Sequence, residues 1–243
     1  MIALLHKKWP ETTQIEVDGA LVEVAVRISE RARNYRLSLP HAGGPVLTIP
    51  PNGRWPEAQA FLGRQRAWLA VRLERAVKPV AFVPGAVIPL RGDEHRIEAS
   101  GKVRGHVHVV EADGERVLLV PGDPAHQARR LTDWLKGEAQ ADLETQVAIH
   151  AARLKVQYAS VSMRSQATRW GSCSSTGRLN FNWRLILAPS FVLDYVAAHE
   201  VAHLVEMNHS DAFWATVERT LPSMERGRAW LKAHGRQLMV YGL

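Results

Sequence analysis

The residues best suited to chemistry in this chain are two histidines and a glutamate in one short segment, His199-Glu200-Val201-Ala202-His203. The histidines are four positions apart, so a helix places both imidazole rings on one face, one turn apart. Two ring nitrogens at that separation can bind one tetrahedral metal ion. Glu200 would then take a proton from a metal-bound water. This HExxH segment therefore predicts a hydrolase with one Zn²⁺ per chain.

The residues around this segment indicate that its helix is buried. They are apolar on both sides: Val196, Ala197, Ala198, Val201, Ala202 and Leu204. Polar or charged side chains without a partner are costly in such surroundings. A metal ion would supply that partner, whereas a surface helix that carries two solvated histidines would have polar flanks.

A third ligand is expected from His209 or from Glu206. His209 follows His203 by six residues, about 240° around a continuous helix, so it reaches the ion only if the helix ends first. Asn208 tolerates the left-handed conformation that ends helices, and Ser210 is a good N-cap for a following helix. We favour His209, because three nitrogen ligands with one open position are an established catalytic arrangement. Glu206 would then lie behind the ligands or in solvent.

A segment rich in turn residues, 169–185, precedes this helix and is typical of a β-hairpin that could line a cleft. Its candidates for contact with substrate are Arg169, Arg178, Asn180 and Asn182. The arginines could hold a phosphate or carboxylate, and the asparagines could orient a substrate. Solvated charges and cross-strand hydrogen bonds explain the same residues. Cys173 has no cysteine partner, and a packed thiol explains it better than a ligand or nucleophile.

The elements that must position these residues fall into two blocks. Strand-like alternation is found over 14–18, 20–28, 35–39, 45–49, 86–90, 94–98 and 106–120, interrupted by one helix at about 56–77. Helices are then predicted over 124–154, 190–206, 210–220 and 223–238, with strands over 156–163, 167–173 and 178–185. This order predicts an α+β protein with a mostly β N-terminal region, 1–122, and a metallohydrolase domain, 123–243.

The composition is that of an ordinary globular protein of 243 residues. Its single cysteine excludes an intrachain disulfide and favours a reducing compartment. No signal peptide and no apolar run of about 18 residues is found, so we expect a complete cytoplasmic protein without a membrane partner. The net charge of +7 suits anionic partners, including nucleic acid, although the basic residues are scattered.

The chain resembles the YgjP-like metallopeptidase family, which is related to the SprT-like proteases and the minigluzincins, in two runs: RWGSCSSTGRLNFNWRLILAP and HEVAHLVEMNHSDAFW. The resemblance covers about residues 150 to 238, and the N-terminal β region is also typical of full-length members. It implies a zincin-like (minigluzincin) catalytic core in which His199, His203 and His209 bind the metal and Glu200 is the catalytic acid/base.

Three functions are compatible with these residues. The first is a metallopeptidase acting on a peptide or protein. The second is a metal-dependent pyrophosphohydrolase of nucleoside triphosphates such as UTP, an activity also associated with the resembled family. The third is a basic nucleic-acid-associated module with a structural metal. Glu200 argues against the third, because a structural site has no use for a general base and is usually closed by a fourth protein ligand.

Overall fold

The computed structural model describes residues 9–40, 43–74, 79–166 and 168–242. The chain divides into two compact units, Met1–Lys78 and Pro79–Leu243. Each unit has its own hydrophobic core. Residue 122, the boundary expected from the sequence, lies inside the second unit, because apolar side chains before it, such as Leu118, share a core with Leu131 and Leu135 after it.

The first unit contains a four-stranded sheet and two helices. Its strands are β1 (Thr12–Val17), β2 (Ala20–Ile28), β3 (Arg36–Ser38) and β4 (Val46–Ile49), in the order β1-β2-β4-β3. Its helices are α1 (Trp55–Arg64) and α2 (Arg66–Glu74). One helix was predicted over 56–77, but α1 ends at Gln65, where the backbone leaves the helical conformation. Residues 75–77 of that prediction lie outside the described residues.

The second unit begins with another four-stranded sheet and one long helix. The strands β5 (Val87–Leu90), β6 (Asp93–Ala99), β7 (His108–Ala112) and β8 (Glu115–Val120) have the order β5-β6-β8-β7. Helix α3 (Pro124–Leu154) has the predicted bounds. Asp123 caps its first turn by accepting from the Ala125 amide, and Lys155 ends it with a φ of 57°. None of the described helices is both long and apolar enough to cross a membrane.

A three-stranded sheet follows, with β9 (Ser160–Arg164), β10 (Gly171–Cys173) and β11 (Arg178–Asn182) in the order β10-β11-β9. Residue 167 of the predicted strand 167–173 lies outside the described residues. The strand predicted over 178–185 ends earlier, at Asn182. There the Asn182 side chain accepts from the Arg184 amide and starts a 3₁₀ turn over Trp183–Leu187. Strand β10 is short and lies at one edge of this sheet.

Three helices complete the second unit: α4 (Ser190–Ala202), α5 (Asp211–Thr220) and α6 (Met224–Leu238). Helix α4 is apolar and largely buried, and it packs against α3 and α6. A Cβ atom at Gly227 of α6 would lie 2.4 Å from Tyr195 Cβ, so only glycine permits this close approach to α4. The mixed α+β fold that the sequence predicted is confirmed.

A buried histidine joins three of these helices. His150 of α3 is 0% exposed. Its Nε2 atom lies 2.8 Å from Asp194 Oδ1 of α4, and its Nδ1 atom lies 2.9 Å from Thr220 Oγ1 at the end of α5. Because buried polar groups are costly without partners, these two hydrogen bonds fix how α4, which carries the HExxH segment, packs on its neighbours.

We predict that His150→Ala lowers the free energy of unfolding by about 2–4 kcal/mol, because it leaves a cavity and two unpaired polar groups. The measurement is urea denaturation followed by circular dichroism. His126→Ala is the matched control, since His126 is exposed on the same helix and should change stability by less than about 0.5 kcal/mol. Equal effects of the two substitutions would contradict the proposed linkage.

Candidate metal centre

Three histidine side chains converge at the C-terminal end of α4. One ring nitrogen from each of His199, His203 and His209 lies within 4.8 Å of the others. The Nε2 atoms of His199 and His209 are 3.1 Å apart. Nitrogen ligands at 2.0–2.1 Å from a tetrahedral zinc ion are about 3.3 Å from each other, so this spacing suits a metal ion.

The backbone after α4 brings His209 to the other two rings. The amides of Val205 and Glu206 both donate to the Ala202 carbonyl, at 3.0 Å, and the helix does not continue. The sequence was read correctly in requiring a helix end before His209, but the end lies at Ala202 rather than near Asn208. The prediction of a left-handed conformation at Asn208 is also wrong, because the φ of Asn208 is not positive.

Two polar side chains fix the second half of this turn. Asn208 Oδ1 accepts from the Ser210 amide at 3.2 Å, and Ser210 Oγ accepts from the Phe213 amide at 3.4 Å. Ser210 is therefore the N-cap of α5, as predicted. His209 directly precedes this cap, so the start of α5 determines the direction of its side chain.

Phe213 of α5 forms the apolar support behind the cluster. Its ring centroid lies 4.8 Å from that of His199, 4.4 Å from that of His203 and 4.8 Å from that of His209. Phe213 is fully buried, and the neighbouring Trp214 ring stacks on His209 with an interplanar angle of 29°. Packing on Phe213 and Trp214 therefore positions the three imidazoles relative to one another.

Burial favours the neutral form of two histidines of this cluster, His199 and His203. Burial lowers the pKa of His199 to about 3, with smaller contributions from His203, His209 and Arg228. Burial also lowers the pKa of His203. The buried Nδ1 atom of His199 has no hydrogen-bond partner among the described residues. Neutral imidazole is the form that binds metal ions, so this donor set fits a transition metal.

Glu206 contributes to this cluster through its backbone. His203 Nδ1 lies 3.0 Å from the Glu206 carbonyl oxygen, so Nδ1–H donates and the Nε2 lone pair is left for a ligand. The carboxylate of Glu206 is not among the groups that converge. The geometry therefore favours His209 over the Glu206 side chain as the third donor.

Glu200 lies beside the cluster and is only 5% exposed. Burial raises the pKa of its carboxyl group to about 8, and its Oε2 atom has no hydrogen-bond partner among the described residues. A Cβ atom at Gly171 of β10 would lie 2.4 Å from Glu200 Oε1. Glycine at this position therefore makes room for the carboxylate, and the edge strand passes directly over it.

The four candidate substrate-binding residues lie in different places. Arg169 lines a cavity that Glu200 and His199 also line. Arg178 is exposed at the start of β11, and Asn180 Oδ1 accepts from Arg164 Nε at 3.1 Å. Asn182 is buried, and its Nδ2 atom donates to the Gln166 carbonyl at 2.7 Å. Of the four, Arg169 alone lines the cavity beside Glu200.

Arg228 and Cys173 also lie near the cluster. Arg228 of α6 lies over the Trp214 ring, 4.3 Å from its centroid, and contributes to the lowered pKa of His199. The sequence carried no signal for Arg228, because its position depends on how α6 packs. Burial, and secondarily Glu200, raises the pKa of Cys173 to about 11, so its thiol stays protonated at neutral pH.

A protein-family model matches most of the chain. Residues 33–234 match the model of the YgjP-like family, a metallopeptidase domain. The crystal structure of the metallopeptidase zymogen of Pyrococcus abyssi abylysin is 23% identical, covers 40% of this chain and 94% of that chain, and has a TM-score of 0.35, a partial likeness. No curated protein matches the chain. Because the family model spans most of its residues, the chain belongs to the YgjP-like family of metallopeptidase domains.

Proposed function

We propose that the protein is a zinc-dependent peptidase in which His199, His203 and His209 bind the ion and Glu200 is the general base. The observation that carries the proposal is the convergence of three imidazoles beside one buried carboxylate. Zinc accepts three imidazole nitrogens and keeps a fourth position open in catalytic sites. Calcium and magnesium prefer oxygen ligands, which this cluster does not offer.

The chemistry divides between the ion and the protein. When bound, the ion would act as a Lewis acid that polarises the substrate carbonyl and makes water more acidic. The role of Glu200 is to accept a proton from the attacking water at Oε2, a buried oxygen that bonds to none of the described residues, and to return it to the leaving amine. Its close packing under Gly171 holds the carboxylate in one position.

The free edge of β10 supports a peptide as the substrate. Within the part of the chain that the structure describes, strand β10 pairs with β11 on one side only. The Trp170 carbonyl accepts from the Asn182 amide, and the Ser174 amide donates to the Arg178 carbonyl. Because antiparallel hydrogen bonds alternate along a strand, the backbone groups of Gly171 and Cys173 point to the open side. Extended peptides bind sheet edges of this kind through their main chain.

Positive charge is the observation that favours the alternative function, a nucleoside triphosphate (UTP) pyrophosphohydrolase. The net charge is +7, and two arginines, Arg169 and Arg228, lie near the cluster. Both side chains are exposed, so each could bind a phosphate. A structural metal in a nucleic-acid-associated module fits less well, because an unpartnered Glu200 carboxylate has no use in such a site.

We predict that purified protein carries about one zinc ion per chain and that His209→Ala weakens zinc binding by several orders of magnitude, because two imidazoles remain. Glu206→Gln is the matched control and should weaken binding by at most about tenfold, since its backbone carbonyl, not its side chain, holds His203. The measurement is competition with a chromophoric chelator. A full site in His209→Ala together with an empty one in Glu206→Gln would reverse the ligand assignment.

We predict that Glu200→Gln keeps the metal but lowers turnover about a hundredfold or more, because glutamine has a similar size and cannot accept the proton. Zinc content and hydrolysis rate are measured on the same sample. Metal retention separates this result from loss of the site. Undiminished turnover of a substrate that the unaltered protein cleaves would exclude Glu200 as the base.

The substrate class is tested by a paired assay. The protein is incubated with casein and with a panel of nucleoside triphosphates, each with and without a chelator, and the Glu200→Gln variant is the negative control. We expect chelator-sensitive cleavage of casein and no release of pyrophosphate. Chelator-sensitive hydrolysis of UTP without proteolysis would replace the peptidase proposal by the nucleotide alternative.

A further inference from the structure

A cavity of about 260 Å³ opens directly beside Glu200 and His199. It lies between the start of β10, helix α4 and helix α6. Four apolar or aromatic side chains also line it: Trp170, Tyr195, Val196 and Leu231. The backbone of Gly171 and the side chain of Arg169 complete the lining.

Two glycines of α6 hold the aromatic walls in place. Gly227 permits the contact of α6 with Tyr195, and a Cβ atom at Gly235 would lie 3.2 Å from the indole nitrogen of Trp170. The Trp170 carbonyl is also tied to β11 by the hydrogen bond from the Asn182 amide. Packing against α6 and the hydrogen bond to β11 therefore hold the aromatic side chains of the cavity in place. A selective binding site requires side chains held in this way.

The size of the cavity limits what can enter it. A volume of about 150 Å³ is enough for benzene, whereas sites for drug-sized molecules begin at about 300 Å³. The observed 260 Å³ lies between these values. A single large side chain fits this space.

The chemistry of the walls selects an apolar side chain. Removing aliphatic or aromatic surface from water is favourable, and aromatic walls add ring contacts. A carboxylate in the cavity would lose hydration and would lie near Glu200, which lines the same space. The guanidinium of Arg169 is exposed at the rim, where solvent screens its attraction for an anion.

We propose that this cavity is a specificity pocket that accepts one bulky apolar side chain, aromatic or leucine-like, next to the bond that is cut, with Leu231 and Trp170 as the residues that determine the size of that side chain. Cleavage next to the bound side chain rests on the proposed peptidase function. Binding of the side chain itself does not depend on catalysis.

The test is a binding series with the N-acetyl amides of phenylalanine, leucine, alanine and glutamate. NMR follows the indole N–H of Trp170, assigned from Trp170→Phe, and the methyl groups of Leu231. We expect saturable shifts at both residues with the phenylalanine and leucine amides. Binding of the alanine and glutamate amides should be at least tenfold weaker.

Two variants locate the binding site. Leu231→Trp fills the cavity and should weaken binding of the phenylalanine amide at least tenfold. Leu204→Trp is the matched control, because Leu204 lines a separate cavity, so this substitution should leave that binding unchanged. The wild-type series decides the proposal even if a variant is unstable. It is overturned if no amide shifts Trp170, or if the glutamate amide binds most tightly and loses its affinity in Arg169→Ala.

A peptide-library digest separates the pocket from the catalytic proposal. If the unaltered protein cleaves beside phenylalanine or leucine and the Leu231→Trp variant cleaves beside small residues instead, the result supports both the pocket and the peptidase function. Amides that bind at Trp170 without cleavage of any peptide leave the pocket standing and refute the peptidase function. Cleavage without preference for bulky apolar neighbours refutes the pocket alone.

Discussion

The convergence of three imidazoles on Phe213, beside the buried carboxyl group of Glu200, is the constraint on which the rest of the site depends. Taking ionisable groups out of water is costly unless partners compensate for the lost hydration. The protein leaves His199 Nδ1 and Glu200 Oε2 without hydrogen-bond partners among the described residues. Burial also lowers the pKa of His199 and of His203 and so favours their neutral form. The site is thereby prepared for a cation at some cost to stability, a common feature of functional sites.

The second unit compensates for this cost in the packing around α4. The helix is surrounded by apolar side chains of α3, α6 and the 3₁₀ turn, and its Asp194 is paired with the buried His150. Close approaches at Gly171 and Gly227 bring the edge strand and α6 against it without intervening side chains. The ligand-bearing helix is therefore a fixed scaffold.

Much of this arrangement could be predicted from local sequence. The bounds of α3 follow from the Asp123 cap and an apolar stripe with helical spacing, and the spacing of His199 and His203 fixes their common face. The end of α4 was misplaced, because consecutive amides there share the Ala202 carbonyl and no glycine or proline marks the position. The preference for His209 over Glu206 was argued from ligand chemistry, and the geometry of the cluster agrees with it.

Features that depend on tertiary packing were not accessible in the same way. The chain divides after residue 78 rather than near 122, because the strands β5, β6 and β8 share a core with α3. Strand patterns alone do not reveal which helix covers a sheet. Asn182 was a candidate for substrate contact, yet its amide bonds to backbone and starts the 3₁₀ turn. Arg228 came near the cluster only through the packing of α6 on α4.

Gly171 connects the three parts of the proposed site. The absence of a side chain there makes room for Glu200, lets the free edge of β10 pass over the carboxylate, and opens one wall of the apolar cavity. Successive side chains of an extended peptide point to opposite sides. A peptide paired with this edge would therefore direct alternate side chains towards the cavity while its backbone passes Glu200. Selectivity for one neighbouring side chain and positioning of the reacting carbonyl would then have a common cause, the register of the peptide on β10.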